Sequence, residues 1–344
     1  MEQVPGRNTH VRTVTTSSKL RGVNAAFSTL ALPLARAAID RAGELRLDAD
    51  KLSELWRTAA IVHFSSGKFH CTSSTSTTNS LTRFTSTEID SRLATDDFTT
   101  GERFFLGFDS GTAYFAWCSE DIDSTDVKAD FKSLREIGDD LSDADMGLAV
   151  HAQALANWHH THQFCSRCGA TTTSAQGGSL RKCDVDASEH YPRTDPAIIV
   201  LVKDKDDNIL LGRQKVWPEH RFSNFAGFVE PGESFENCVT REVGEEAGVD
   251  ISDVIYLGSQ PWPFPASIMI AFHAITSNPE AARPDGQEIE EVRWYSRASM
   301  KQAIADKTLL LPPGMSVSRR MLEAWYCADG SAIADLTGGE RWSS

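Results

Sequence analysis

Between Gly227 and Val249 the chain reads GFVEPGESFENCVTREVGEEAGV, and three of its glutamates are spaced for chemistry. Pro231-Gly232 predicts a turn, Ser234 an N-cap, and Gly248 the left-handed residue that ends a helix at Ala247. On that helix Glu242, Glu245 and Glu246 stand at i, i+3 and i+4, so their carboxylates share one face. Three negative charges so close repel unless a cation sits among them. Hard oxygen ligands suit Mg²⁺ or Mn²⁺, which keep waters and bridge to substrate phosphates. Taken alone, the same three glutamates also fit a solvated acidic helix face.

A second group is soft. Cys165-x2-Cys168 precedes Cys183 by fourteen residues, near the spacing of a zinc ribbon. A redox pair or two ordinary thiols would leave the same CxxC, but the following Gly169 and the third cysteine favour Zn²⁺. Cys71, Cys118, Cys238 and Cys327 lack partner spacing and read as buried thiols.

Around these groups the chain has two rhythms. In the first half, residues 37–56 read as helical and Phe104–Trp117 as two short strands around a turn at Gly111. Residues 72–87 are low in complexity, twelve of sixteen being Ser or Thr, which reads as exposed loop or edge strand. Glu120–Asp145 carries ten acids against three bases, a solvated face and loops, and Met146–His162 follows as a helix. In the second half, strands are expected at Ala197–Lys203, Ile209–Gln214, Phe225–Val229, Val254–Ser259, Ser267–Thr276 and Val292–Tyr295. Helices are expected at Ser234–Ala247, Ser299–Asp306 and Ser316–Cys327. Strands mixed with helices indicate a domain with a mixed sheet. SQPWPFPAS, residues 259–267, cannot be a helix or a central strand and reads as a rigid loop. No internal repeat is visible.

The 344 residues suffice for about two domains. A formal net charge of −14 argues against broad binding to nucleic-acid backbone, though not against recognition of one RNA end. No uninterrupted apolar run reaches the ~18 residues of a membrane span, so no membrane role is expected. Seven cysteines, an odd and sparse set, suit a reducing compartment, and the expected location is cytoplasmic. Residues 1–24 read as a polar, basic tail, with a targeting peptide as the other reading.

The carboxylate helix is part of a larger pattern. Gly227, Glu233, Arg241, Glu242, Val243, Glu245, Glu246, Gly248 and Val249 match GX5EX7REUXEEXGU (U aliphatic) without a gap. A chance match is rarer than about one in a million at average residue frequencies. The segment resembles the Nudix hydrolases, metal-dependent enzymes that split a nucleoside diphosphate from a group X. SQPWPFPAS at this distance resembles the array of the NADH pyrophosphatase branch. So do Ala154–Gly169 (ALANWHHTHQFCSRCG), Tyr191–Pro196 (YPRTDP) and Pro33–Arg36 (PLAR). The resemblance spans roughly residues 25–330.

It implies an α/β architecture: a Nudix α/β/α sandwich with a mixed sheet at 194–344, a helix and zinc-ribbon-like module at 151–193, and an α+β amino-terminal domain at 25–150. It implies cleavage of NAD(H) to nicotinamide mononucleotide and AMP, possible removal of NAD caps from RNA 5′ ends, and a homodimer. By the same resemblance Glu242, Glu245, Glu246 and Glu288 are metal ligands or catalytic groups, with Glu246 and Glu288 as candidates for general base. Arg241 would orient the carboxylates through charge-assisted hydrogen bonds. Phe228, Tyr191, the backbone at Ser318, and Gln260 and Trp262 of the proline-rich array would contact the dinucleotide. The cysteine expected before YPR is absent. His190 is then the best fourth zinc ligand beside Cys165, Cys168 and Cys183, with Asp184 and Asp186 behind it. Competing readings are a Nudix hydrolase of ADP-ribose or another nucleotide sugar, and a nucleotide sensor without turnover.

Overall fold

Short apolar runs, such as Ala197–Val202 with every residue buried, build two sheets whose central strands are covered on both faces. A computed structural model describes residues 30–36, 39–73, 79–94, 101–119 and 131–337. The basic tail, the middle of the Ser/Thr-rich segment and much of the acidic run lie outside the described residues.

In the second sheet the strands run in the order Ile251–Trp262, Ser267–Thr276, Asp195–Lys203, Ile209–Gln214, Ile289–Tyr295, with Phe225–Phe228 pairing Asp195–Lys203. Asp195–Lys203 and Ser267–Thr276 are parallel and the other pairs antiparallel. Successive residues of the central strand face opposite layers. Ile198, Val200 and Val202 pack on the carboxylate helix, Phe235–Ala247, through Cys238, Val239 and Val243. Ile199 and Leu201 pack on helix Val317–Cys327 through Met321, Leu322, Trp325 and Tyr326. This is the expected α/β/α sandwich. Side chains fitted to a different helix on each face hold the register, because a one-residue slip would exchange the two faces.

The first sheet repeats this plan. Its order is Asn79–Leu81, Lys68–Ser73, Ala60–Ser65, Thr112–Ser119, Gly101–Asp109, and Ala60–Ser65 again runs parallel to Thr112–Ser119. Val62 and Phe64 face the long helix Asp143–Thr161, while Ile61 faces Leu52 and Trp56 of Ala49–Trp56. The chain therefore contains a repeat of topology that its residue pattern does not reveal. The helix expected over residues 37–56 is shorter, because the Asp48 side chain accepts the Lys51 N–H at 2.8 Å and starts a helix only at Ala49.

The proline-rich array corrects another expectation. Ser259–Trp262 continues the strand Ile251–Trp262, with Pro261 opposite Ile268. Proline is tolerated because this strand lies at the sheet edge. Beyond it, Trp262 and Phe264 pack on the core of the first domain, under the Arg135 guanidinium 3.9 Å from the Phe264 ring centre. Gln153 and Asn157 of the long helix donate to the Pro263 carbonyl at 2.8 and 3.0 Å. The array is a clasp between the two halves. Between them in sequence lies a three-stranded ribbon, Thr172–Ala175, Leu180–Cys183 and Glu189–His190.

Candidate metal centre and nucleotide site

Helix Phe235–Ala247 begins where Ser234 Oγ accepts the Asn237 N–H and ends at Gly248, whose φ of 67° is the left-handed cap. Its three glutamates are not equivalent. Glu245 is exposed, Glu242 is mostly covered, and Glu246 is only 4% exposed.

Arg241 organises the group. Its Nε and Nη2 donate to the two oxygens of Glu233, both at 2.9 Å. Nη1 reaches Glu242 at 2.8 Å and Glu245 at 3.0 Å, and Nη2 also donates to the Phe228 carbonyl at 3.1 Å. The bidentate hydrogen bonds from Arg241 hold the Glu233 carboxyl down at about 2. A lysine could supply the charge but not this planar fork. Glu233 was legible as part of the motif, but its role as anchor of the arginine is visible only in the fold.

Glu246 is the opposite case. Burial first, then the charges of Glu288 and Glu242, push its carboxyl up to about 8. Its Oε2 is buried and has no hydrogen-bond partner among the described residues. Burial likewise pushes Glu242 upward, against the pull of Arg241. A buried, unsatisfied carboxylate oxygen facing other carboxylates is what a hard divalent cation would satisfy, so the residues present fit Mg²⁺ or Mn²⁺. Gly227 makes room for this: a Cβ there would lie 1.9–2.3 Å from the carboxyl atoms of Glu242.

Glu288 immediately precedes the edge strand Ile289–Tyr295. Gln214 Nε2 donates to its Oε1 at 2.7 Å, from a strand whose pairing shifts register between Arg213 and Gln214. Asp285 accepts the backbone N–H groups of Gln287, Glu288 and Ile289 at 3.2, 3.2 and 2.8 Å, shaping the loop that carries Glu288. Neither Gln214 nor Asp285 belongs to a motif, and no signal in the residue pattern marks them.

The expected nucleotide contacts divide. Phe228 and Tyr191 are 60% and 64% exposed, with rings available to a planar base. Ser318 is buried, and its hydroxyl accepts from the Asn224 backbone N–H at 3.2 Å. Trp262 is half-covered by the first domain. Gln260 requires correction. It is 0% exposed and fully spent on backbone, accepting the Leu34 N–H and donating to the Met315 carbonyl, each at 3.0 Å. It staples the domains and has no face for a substrate. Gln260→Ala would orphan both backbone groups, at about 1–3 kcal/mol each. We expect a lowered melting temperature with kcat/KM per folded molecule unchanged, as thermal melts and kinetics on one preparation would show.

In the ribbon, ligand atoms of Cys165, Cys168, Cys183 and Asp186 all lie within 4.8 Å of one another. His190, the expected fourth ligand, is not in this group. It sits in a strand opposite Arg181, and its Nε2 lies 3.1 Å from Ser188 Oγ. All seven cysteines are free.

Three family models match in tandem: "NADH pyrophosphatase-like rudimentary NUDIX domain" at residues 41–158, "NADH pyrophosphatase zinc ribbon domain" at 160–191, and "NUDIX domain" at 193–312. The NAD-capped RNA hydrolase NudC of Mycobacterium bovis is 36% identical over 308 residues, 86% of this chain and 95% of that protein. The human mitochondrial NAD(P)H pyrophosphatase NUDT13 is 35% identical over 233 residues, 64% of this chain and 66% of that one. A crystal structure of a NUDIX hydrolase from Nitrosomonas europaea superposes on 49% of this chain with a TM-score of 0.40 and 19% identity. With a rudimentary Nudix domain, a zinc ribbon and a complete Nudix domain in this order, the chain belongs to the NADH pyrophosphatase family of Nudix hydrolases.

Proposed function

We propose that this enzyme hydrolyses the pyrophosphate bond of NAD(H), giving nicotinamide mononucleotide and AMP, and that it removes NAD caps from RNA 5′ ends. The observation that carries this reading is the Arg241-organised glutamate group, with the buried, unpartnered oxygen of Glu246 at its centre. It lies in a chain that matches an NAD-capped RNA hydrolase over 95% of that protein's length.

Glu242, Glu245, Glu246 and Glu288 would hold Mg²⁺ or Mn²⁺, which when bound polarises phosphoryl oxygens and acidifies water. The chain's own residues do the rest. Arg241 keeps Glu242 and Glu245 in place, and Gln214 keeps Glu288 in place. Glu246 and Glu288 are the two candidates for the base that takes a proton from the attacking water. Phe228 and Tyr191 offer ring faces to a base, with Ser318 contributing backbone and Trp262 the edge of the array. Chromatographic product analysis with NADH, NAD⁺, ADP-ribose and NAD-capped RNA, each with Mg²⁺ or Mn²⁺, tests the reading. AMP and nicotinamide mononucleotide from NAD(H) support it, and turnover of ADP-ribose alone would replace it.

Metal and carboxylates recognise only the diphosphate, so choice among substrates must come from the exposed rings. Phe228→Ala or Tyr191→Ala should cost about 1–3 kcal/mol toward NADH, the worth of a base–aromatic stack. ADP-ribose, which has the adenine but no nicotinamide, should lose less at the ring that stacks on nicotinamide and equally at one that stacks on adenine. Measuring kcat/KM for the two substrates on both variants gives the difference.

The domain limits 25–150, 151–193 and 194–344, a cytoplasmic location and a homodimer complete the proposal. The free cysteines support a reducing compartment, and the described helices include none long and apolar enough to cross a membrane. The edge strand Ile251–Trp262 exposes Ile255 and Tyr256, apolar surface that a second copy would cover. Sedimentation analysis distinguishes dimer from monomer.

A further inference from the structure

The ribbon contains two loops built alike. In the first, Arg167 N–H donates to Cys165 Sγ at 3.4 Å, Gly169 N–H donates to the Cys165 carbonyl at 2.9 Å, and Gly169 has φ +75°. In the second, Val185 N–H donates to Cys183 Sγ at 3.4 Å, Ala187 N–H donates to the Cys183 carbonyl at 3.2 Å, and Ala187 has φ +58°. Each loop thus wraps its leading sulfur with the N–H two residues on and turns left-handed four residues on. In the first, the residue three positions after the leading cysteine is Cys168. In the second it is Asp186. The chain reads C-x2-C and then C-x2-D, with the same spacing and the same backbone.

We infer that the ribbon zinc of this chain is held by three thiolates and one carboxylate, with Asp186 Oδ2 as the fourth ligand beside Cys165, Cys168 and Cys183. Asp186 Oδ1 is already occupied, accepting from the Ser188 N–H at 2.9 Å and hydroxyl at 2.6 Å. That pair of bonds orients the carboxylate and leaves Oδ2, 3.9 Å from Cys165 Sγ, for the metal. Cys168 and Cys183 sulfurs stand 3.5 Å apart. Tetrahedral zinc with bonds of ~2.0–2.3 Å separates its ligand atoms by about 3.5–3.8 Å. The 3.5 and 3.9 Å separations are close to this, and all four ligand atoms lie within 4.8 Å of one another, so small side-chain adjustments would close the site on a metal.

The alternatives are otherwise engaged. Asp184 accepts Thr171 Oγ–H and Thr173 Oγ–H at 2.8 and 2.7 Å, one on each oxygen, and so belongs to the ribbon sheet. The His190 ring meets Ser188 Oγ, and Ser188 is itself the residue that orients Asp186. A carboxylate is a harder ligand than a thiolate, so this ribbon should hold zinc less tightly than a four-cysteine version of itself.

The test uses full-length protein, with metal content measured after preparation without chelators and Co²⁺ then exchanged into the ribbon. The thiolate-to-cobalt charge-transfer band reports this site alone, because a carboxylate centre cannot produce it. The parent should contain one zinc per chain and give a cobalt spectrum of three thiolates. Asp186→Ala should weaken metal binding by more than the ~10–100-fold typical of losing an outer partner. Asp186→Cys should bind more tightly, gain about a third in charge-transfer intensity, one thiolate on three, and move the ligand-field bands to longer wavelength. His190→Ala should leave spectrum and affinity unchanged. An Asp186→Cys spectrum identical to the parent's, or loss of metal in His190→Ala, overturns the assignment even if Asp186→Ala fails to fold.

Discussion

Glu246→Gln should reduce hydrolysis of NADH by ~10²–10³-fold or more, the scale of removing one electrostatic element from a reaction centre, while the fold survives. Glutamine fills the same volume but cannot carry the charge that a divalent cation needs. The same substitution should change the pH dependence of stability in protein freed of Mg²⁺ and Mn²⁺. Glu246 in the folded chain is pushed up to about 8, mainly by burial and then by Glu288 and Glu242. In the unfolded chain a glutamate titrates near ~4.3. Between these values the folded state keeps a proton that the unfolded state has released. The native state binds more protons, so stability falls as pH rises from about 4.5 to about 8 and levels off above. Glutamine has no proton to lose. The melting temperature of the parent should therefore drop relative to the variant across this window, and added Mg²⁺ should restore the parent only. Equal pH profiles would remove Glu246 from the role of buried, metal-satisfied carboxylate. A folded variant with near-normal turnover at saturating Mg²⁺ would do the same.

Gly227→Ala tests the same centre without touching a charge. Gly227 lies inside strand Phe225–Phe228, opposite Ile198 of the central strand. The ladder holds the backbone, so the new methyl must displace what it meets, the carboxyl of Glu242 at 1.9–2.3 Å. A carboxyl at the end of a flexible side chain moves at little cost to the fold. Moving it breaks the 2.8 Å bond to Arg241 and spoils the ligand set. A displacement of this size costs on the order of 10²-fold in rate. We expect kcat/KM to fall by at least ~10²-fold and the Mg²⁺ requirement to rise, with the melting temperature nearly unchanged. A large loss of stability with normal kinetics per folded molecule would mean that the strand yielded instead of Glu242.

What the sequence by itself determined is local. Ser234, Gly248 and the i, i+3, i+4 spacing of Glu242, Glu245 and Glu246 predicted the carboxylate helix to within one residue of its observed start. The apolar run at Ala197–Lys203 marked the central strand of the Nudix sheet. The unbroken motif and the paired cysteines named the chemistry and the family. Each of these rests on covalent spacing, which a helix or a strand converts directly into a shared face.

Only the tertiary structure decided which of those faces meets water and which meets another element. Spacing placed Glu242, Glu245 and Glu246 side by side, yet only packing under the sheet buried Glu246 and left Glu245 exposed. Gln260 belongs to the same array as Trp262, but the residues that consume its amide, Leu34 and Met315, lie 226 and 55 positions away. Gln214 reaches Glu288 across 74 residues. The repeated sheet plan of the two domains is a matter of strand order, which side-chain identity need not preserve. Asp186, and not the expected His190, groups with the three cysteine sulfurs, because two loops of similar backbone shape set where those side chains lie. Burial, and with it the proton affinity of a carboxylate, is supplied by neighbours brought from elsewhere in the chain, and spacing along one element carries no record of them.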